Sequence, residues 1–240
     1  MDSAVTKNLR ALNARVDALS RRYAGLDGEG LLRPLIETEF SGRIALSSSF
    51  GAESAVLLHM VARIDPATPV LFLNTGKLFG ETLRYRDALV DRLGLTGVRE
   101  LKPDADDIDA RDRDGMLWQT SPDACCRIRK VLPLDRALRD YDAWINGRKR
   151  FQGGLRADIP TVEAFDGRVK VNPLANWEPA DISAYMKNYD LPAHPLVADG
   201  YRSIGCLTCT LRTSGTDARD GRWAGQDKTE CGIHLAMGGK

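Results

Sequence analysis

Arg43-Ile44-Ala45-Leu46 runs directly into Ser47-Ser48-Ser49-Phe50-Gly51-Ala52-Glu53-Ser54, and an apolar stretch with helical spacing follows to about residue 63. An apolar run, a turn of small residues and a helix is the order of a buried strand feeding a helix N-terminus. At such a turn backbone N–H groups point at an anion, and serine hydroxyls add donors. The order then repeats. Val70-Leu71-Phe72-Leu73 leads into Asn74-Thr75-Gly76 and a helical pattern over 80–93, with a third apolar run near Val98. Alternating strand and helix predict an α/β fold with a doubly wound, mainly parallel sheet covered on both faces. Both loops would then lie at the carboxyl edge of that sheet, where open parallel sheets take ligands.

Working outward, Leu9, Leu12, Val16 and Leu19 recur at three- and four-residue intervals among charges, which predicts an amphipathic helix over 5–24 packed on the body. Ala143-Trp144-Ile145-Asn146 reads as a further buried strand, 162–171 as a hairpin turning at Asp166-Gly167, and 178–188 as a helix. From Gly200 glycine, threonine and charge replace apolar periodicity, so this segment is expected to be organised by ligands more than by a core. The expected organisation is an α/β domain over 1–200 that includes the N-terminal helix. A C-terminal segment, 201–240, belongs to the same domain and ends in a flexible tail.

A chain of 240 residues with 43% hydrophobic content can bury a sizeable core. The formal net charge of +1 gives no general pull toward nucleic acid or acidic membranes, so basic groups must act locally. No stretch reaches the roughly 20 apolar residues that span a bilayer, and the first 19 residues have no signal-like apolar run. An odd cysteine count without such a signal predicts a cytoplasmic protein whose thiols serve metal binding or catalysis.

Four of the five cysteines fall in two close pairs, Cys125-Cys126 and Cys206-x-x-Cys209. Ser121 as N-cap, Pro122 at the first helical position and Asp123 behind it place the first pair in the opening turn of a helix. Adjacent cysteines are poor partners for one tetrahedral ion, whereas a cube with several irons accepts a thiolate on each of two corners. The expectation is one [4Fe-4S] cluster per chain on Cys125, Cys126, Cys206 and Cys209, its charge offset by Arg127, Arg129 and Lys130. Lys130 shares the helix face of Cys126. Zinc at the Cys206-x-x-Cys209 half, or inert buried thiols, are the alternatives, and a vicinal disulfide is disfavoured by its strained geometry. Cys231 is left over. In Glu230-Cys231-Gly232-Ile233-His234-Leu235 it is a lone thiol beside a histidine in a segment of small residues, which suits a nucleophile.

Ser-Ser-Ser-Phe-Gly-Ala-Glu at 47–53, Leu-Asn-Thr-Gly at 73–76, Cys-Cys-Arg-Ile-Arg-Lys at 125–130, Cys206-x-x-Cys209 and Glu-Cys-Gly-Ile-His at 230–234 together resemble the assimilatory adenylyl-sulfate (APS) reductases, over about residues 40 to 235. The resemblance implies an adenine nucleotide alpha hydrolase-like, Rossmann-like fold. It also implies reduction of adenosine 5'-phosphosulfate to sulfite and AMP, in sulfate assimilation toward cysteine, with thioredoxin (or glutaredoxin) as reductant. By this resemblance Cys231 attacks the sulfate sulfur and holds the sulfonate until the reductant releases sulfite. Substrate contacts are implied for Ser47, Ser48, Ser49, Phe50 and Gly51, for Leu73, Thr75 and Gly76, and for Lys130. Gly147 and Arg156 bound a segment similar to the family's nucleotide-covering arginine loop, Arg219 and Arg222 match an Arg-x-x-Arg-Trp element, and His234 matches a histidine near the phosphosulfate. His59 and His194 have no match and read as structural.

Two positions depart from the family pattern: Asn74 stands where aspartate is common, and the loop between Gly147 and Arg156 is shorter. The resemblance implies no nucleic-acid or membrane partner and is compatible with a homo-oligomer. The nearest rival is a reductase of 3'-phosphoadenosine 5'-phosphosulfate (PAPS), a group that mostly lacks the cysteine pairs. An ATP-pyrophosphatase-type RNA-modifying enzyme would need a loop of different form at 47–54. A non-catalytic metal-binding module would leave Cys231 without a purpose.

Overall fold

The computed structural model describes residues 4–215, 217, 219–226 and 228–235. Among them six strands form one sheet in the order β3-β2-β1-β4-β6-β5. These are β1 (Ile44–Ser48), β2 (Val70–Leu73), β3 (Val98–Leu101), β4 (Ala143–Ile145), β5 (Val162–Phe165) and β6 (Arg168–Val171). All neighbouring pairs are parallel except β5 with β6. The helices are α1 (Ala4–Arg22), α2 (Gly28–Pro34), α3 (Ser54–Ile64), α4 (Gly80–Leu93), α5 (Ala105–Arg111), α6 (Leu117–Thr120), α7 (Pro122–Cys126), α8 (Leu132–Leu138), α9 (Pro179–Asn188) and α10 (Pro195–Ala198). The doubly wound, mainly parallel sheet expected from the alternation is therefore present.

β1, β2 and β4 read as near-continuous apolar runs because both of their faces are covered. On one face Ile44, Leu46, Val70, Phe72 and Ile145 pack with Leu31, Leu32, Leu58 and Met60 of α2 and α3. On the other, Ala45, Leu71, Leu73 and Trp144 pack with Leu134, Ala137 and Leu138 of α8. The hairpin turns where the sequence places it, with Asp166 (φ 45°) and Gly167 (φ 79°) both in the left-handed region that a two-residue hairpin turn requires. From β1 the chain winds to β2 on one side, while β4 lies on the other. That reversal opens a crevice between the carboxyl ends of β1 and β4.

Three expectations need correction. Leu19 is buried and Leu12 and Val16 pack on the core, but Leu9 is 53% exposed, because only the C-terminal half of α1 lies over the body. Ser121 occupies the N-cap position of α7 without a side-chain cap bond. The helix also does not run on regularly past the cysteines. A wide π turn, Arg127–Val131, joins α7 to α8 just ahead of Pro133, which has no N–H for a regular helical bond.

The third correction concerns the segment after Gly200, which is more than a ligand-organised tail. Bridges Leu78↔Cys206 and Thr210↔Arg222 tie it to the body and to itself. Cys206, Cys209 and Trp223 bury one another, and Ile233 joins the α8 side of the core. A few large apolar groups at irregular spacing suffice to dock a segment, which is why periodicity missed it. Residues 236–240, the end of the expected 201–240 segment, lie outside the described residues.

Candidate active site

At the end of β1 the backbone turns through Phe50, whose φ of 48° is unusual for a residue with a side chain. Burial holds it there. The Phe50 ring is fully enclosed and meets Phe72 edge-to-face at 5.2 Å, while the Phe50 N–H donates to Ser48 Oγ at 3.2 Å. Phe50 is thus the anchor beneath the loop and does not line the cleft, whereas Ser47, Ser48, Ser49 and Gly51 do. The fit at Gly51 is close, since a Cβ there would stand 3.0 Å from the Ile204 carbonyl. The first loop and the C-terminal segment therefore meet over the crevice.

In the second loop Leu73 and Thr75 line the cleft. Thr75 Oγ1 lies 3.2 Å from Cys206 Sγ, and the Thr75 carbonyl accepts from Arg129 Nη1 at 2.7 Å. Arg129 is fixed from behind by Asp112, a buried carboxylate that accepts from Nε at 2.8 Å and from Nη2 at 2.5 Å. Asn74 faces away, donating to Glu100 at 2.7 Å and accepting from the Gly76 N–H at 3.1 Å. The departure at Asn74 therefore leaves the cleft untouched, and Gly76, a turn residue, is not among its lining residues.

The cleft has a volume of about 220 Å³ and holds the expected Lys130, Gly147, Arg156, Arg219, Arg222, Cys231 and His234 together. Arg148, Lys149 and Arg202 add to its positive lining, and Glu53 is the acidic group opposite. Lys149 donates to Glu53 at 2.7 Å, closing the arginine loop onto the first loop. Arg148 is spent on Glu163 and on Asn172, the latter at 3.1 Å. Arg156 grips Glu230, with Nε to Oε2 at 2.5 Å and Nη2 to Oε1 at 2.7 Å. Burial works against the Glu230 charge, yet the Arg156 fork outweighs it and holds the carboxyl below its ordinary range.

Cys125, Cys126, Cys206 and Cys209 are buried and Cys231 is half-buried. Burial pushes the Cys125 thiol up to about 11, with Cys206 and Cys209 close enough to add to the rise. Cys126 and Cys231 lie close enough to share a proton, which raises the Cys126 thiol and lowers the Cys231 thiol, while Lys130 favours a thiolate on either sulfur. Burial would strip the proton from Lys130, but the thiols of Cys206, Cys231 and Cys126 outweigh it and keep it cationic. Among the described residues no three His, Cys, Asp or Glu side chains converge as they would on a single ion. Trp223 Nε1 and Arg222 Nε are buried without hydrogen-bond partners, and Trp223 packs against Cys206 and Cys209. Paired thiols, unmet N–H donors beside them and the neighbouring cations Arg129 and Lys130 make a donor set that fits a sulfide-rich cluster.

His234 stacks on Trp144 with ring centroids 6.0 Å apart and planes 10° from parallel. Burial, followed by the positive charges of Lys170, Arg156, Arg148 and Arg219, holds its pKa well below the ordinary histidine value and keeps the ring neutral. His59 bonds Tyr185 at 2.9 Å, and His194 bonds Thr82 at 3.0 Å and caps α10, as structural histidines do. Sequence reading missed Glu230, Asp112 and Arg202-Ser203-Ile204-Gly205. Only Glu230 left a signal, its place beside the lone cysteine; the others reach the site through tertiary packing.

Comparison with known proteins agrees with this geometry. Residues 43–212 match the family described as phosphoadenosine phosphosulfate reductase domain. A protein of Mesorhizobium japonicum called adenosine 5'-phosphosulfate reductase is 51% identical over 92% of this chain and 90% of its own length. A protein of Gloeobacter violaceus called phosphoadenosine 5'-phosphosulfate reductase is 39% identical over 91% of this chain and 93% of its own. Among solved structures, phosphoadenylyl-sulfate reductase from Candida auris, in a phosphate complex, superposes with a TM-score of 0.69 at 25% identity, covering 82% of this chain and 96% of that one. The adenine nucleotide alpha hydrolase-like architecture is thus shared.

Proposed function

The chain belongs to the phosphoadenosine phosphosulfate reductase domain family, and from that premise we propose that it reduces adenosine 5'-phosphosulfate to sulfite and AMP for sulfate assimilation, through a covalent intermediate on Cys231. The observation that carries this reading is one cleft, at the carboxyl ends of β1 and β4, in which a serine-rich loop, several cations and a half-buried thiol converge.

The first loop and the N-terminus of α3 suit a nucleotide-linked phosphate. Lys130, Arg219 and Arg222 can neutralise the sulfonyl group and the leaving phosphate, as developing anionic charge requires. The Cys231 thiolate attacks sulfur, an S–S bond forms, the S–O bond to phosphate breaks, and AMP leaves with the electron pair. A dithiol reductant, proposed as thioredoxin in the cytoplasm, then attacks Cys231 Sγ; sulfite departs with the S–S pair, and the second thiol resolves the mixed disulfide. His234 stays a neutral ring against Trp144 and adds no cation to the thiol.

The proposed holders of a [4Fe-4S] cluster are Cys125, Cys126, Cys206 and Cys209. When bound, such a cluster supplies local charge and a rigid cross-link between the two cysteine-bearing segments. Among the described residues no helix is long and apolar enough to cross a membrane.

The test uses the protein with nucleotide and no reductant. The tryptic peptide 229–240 holds Cys231 as its sole cysteine and should gain one sulfonate, which reduced thioredoxin discharges. Cys231→Ser should lose essentially all sulfite formation. A sulfonate on another cysteine, or substantial turnover by Cys231→Ser, would defeat the mechanism. Because the Gloeobacter violaceus relative bears the PAPS name, the PAPS reading is kept as the alternative. The cysteine pairs motivate a preference for the substrate without a 3'-phosphate, and equal kcat/KM for the two nucleotides would refute that preference.

A further inference from the structure

Glu230 immediately precedes the thiol and has no task in the chemistry above. Its carboxylate is 5% exposed. It takes the Nε and Nη2 edge of Arg156, accepts the Cys231 backbone N–H at 2.7 Å and lies 3.5 Å from Arg219 Nη2. The remaining Arg156 nitrogen, Nη1, donates to Gln152. A two-pronged, charge-assisted pair fixes direction as well as distance. One carboxylate thus ties the backbone of Cys231 to the end of the arginine loop and to the segment carrying Arg219. With its edge engaged, Arg156 does not offer that fork to an anion in the cleft.

We propose that Glu230 is a positioning residue, which holds Cys231 at the cleft by clamping Arg156 and Arg219, and that Arg156 acts through this clamp and not as a fork for the substrate anion. The proposal takes Cys231 as the reacting thiol but does not depend on which nucleotide is reduced.

Undocking is read as the rate at which a neutral alkylating reagent modifies Cys231 in the intact protein without nucleotide, followed on peptide 229–240. Glu230→Gln should raise that rate by about tenfold, since losing one partner of a buried pair strands the other. Arg156→Gln should raise it similarly, and the double variant should exceed neither single one by more than about twofold, as partners in one interaction do. Electrostatics alone would separate the two variants: removing the carboxylate would favour the thiolate and removing the guanidinium would disfavour it. Opposite changes in the single variants, multiplied effects in the double one, or a Glu230→Gln rate within about twofold of wild type would overturn the clamp.

In turnover, Glu230→Gln should lower the rate of sulfonate formation at saturating nucleotide by about tenfold while AMP affinity stays within about twofold. Weakened AMP binding with an unchanged rate would also overturn it. Should Glu230→Gln fail to fold, Arg156→Gln decides by itself, faster alkylation supporting the clamp and slower alkylation refuting it. A coupled alkylation pattern in a protein that releases no sulfite would retire the substrate reading and leave the clamp standing.

Discussion

Lys170 sits in β6, fully buried, with an ammonium that has no hydrogen-bond partner. It lies 3.6 Å from the centre of the Phe165 ring and 4.9 Å from that of Trp144, with Glu163 at 3.9 Å. Ring faces and a distant carboxylate replace only part of its hydration. Burial, aided by Arg148, pushes its pKa down to about 7. Between that value and the ordinary lysine value of about 10.4 the unfolded chain binds more protons than the folded one, so stability rises with pH across this window. Lys170→Met removes a penalty that is complete below the lower value and vanishes above the upper one. Thermal unfolding should therefore show the variant more stable than wild type at about pH 6, with the gap closing by about pH 10. A gap that does not change with pH, or a less stable variant at acid pH, would show that Lys170 is not desolvated in this way.

At the scale of elements, two glycines separate packing of the sheet from packing of the site. A Cβ at Gly97, just ahead of β3, would stand 2.5 Å from the Ala67 carbonyl and 2.6 Å from that of Thr68, both rigid backbone. A Cβ at Gly205 would strike the Arg222 guanidinium, the end of a longer side chain beside Cys206. Gly97→Ala should cost about 1–3 kcal/mol of stability, the range for overpacking, and leave kcat/KM of the folded protein near wild type. Gly205→Ala should cost less stability and more activity, because Arg222 moves and strands nothing but itself. Denaturant unfolding and steady-state kinetics on both variants check this. The reverse ranking would mean that the segment around Gly205 is structural and that Arg222 does not serve the anion.

For the whole molecule, the two cysteine-bearing segments come from separate parts of the chain, α7 from the body and Cys206–Cys209 from the C-terminal segment. Protein purified without oxygen should be brown and carry about four irons and four sulfides per chain, as a cube on four thiolates requires. Chelation of the iron should lower the unfolding temperature and change the fluorescence of Trp223, which packs on Cys206 and Cys209. Stoichiometric zinc without acid-labile sulfide, or a Trp223 signal indifferent to iron removal, would refute that arrangement.

Sequence by itself determined the parts whose cause is local. The strand at 44–48, the loop behind it, the 166–167 turn and the alternation that makes the sheet parallel follow from burial on two faces and from backbone geometry a few residues long. It also marked Cys231 and the two pairs, because thiols are few and their spacing is informative. Tertiary structure decided what each group faces. Phe50 points into the core although its neighbours line the cleft, and Asn74 turns to Glu100. Arg156 spends its fork on a carboxylate 74 positions later. Such partners are set by which segments the sheet order brings to one edge, and a hydrogen bond across that distance leaves no periodicity in the chain to read.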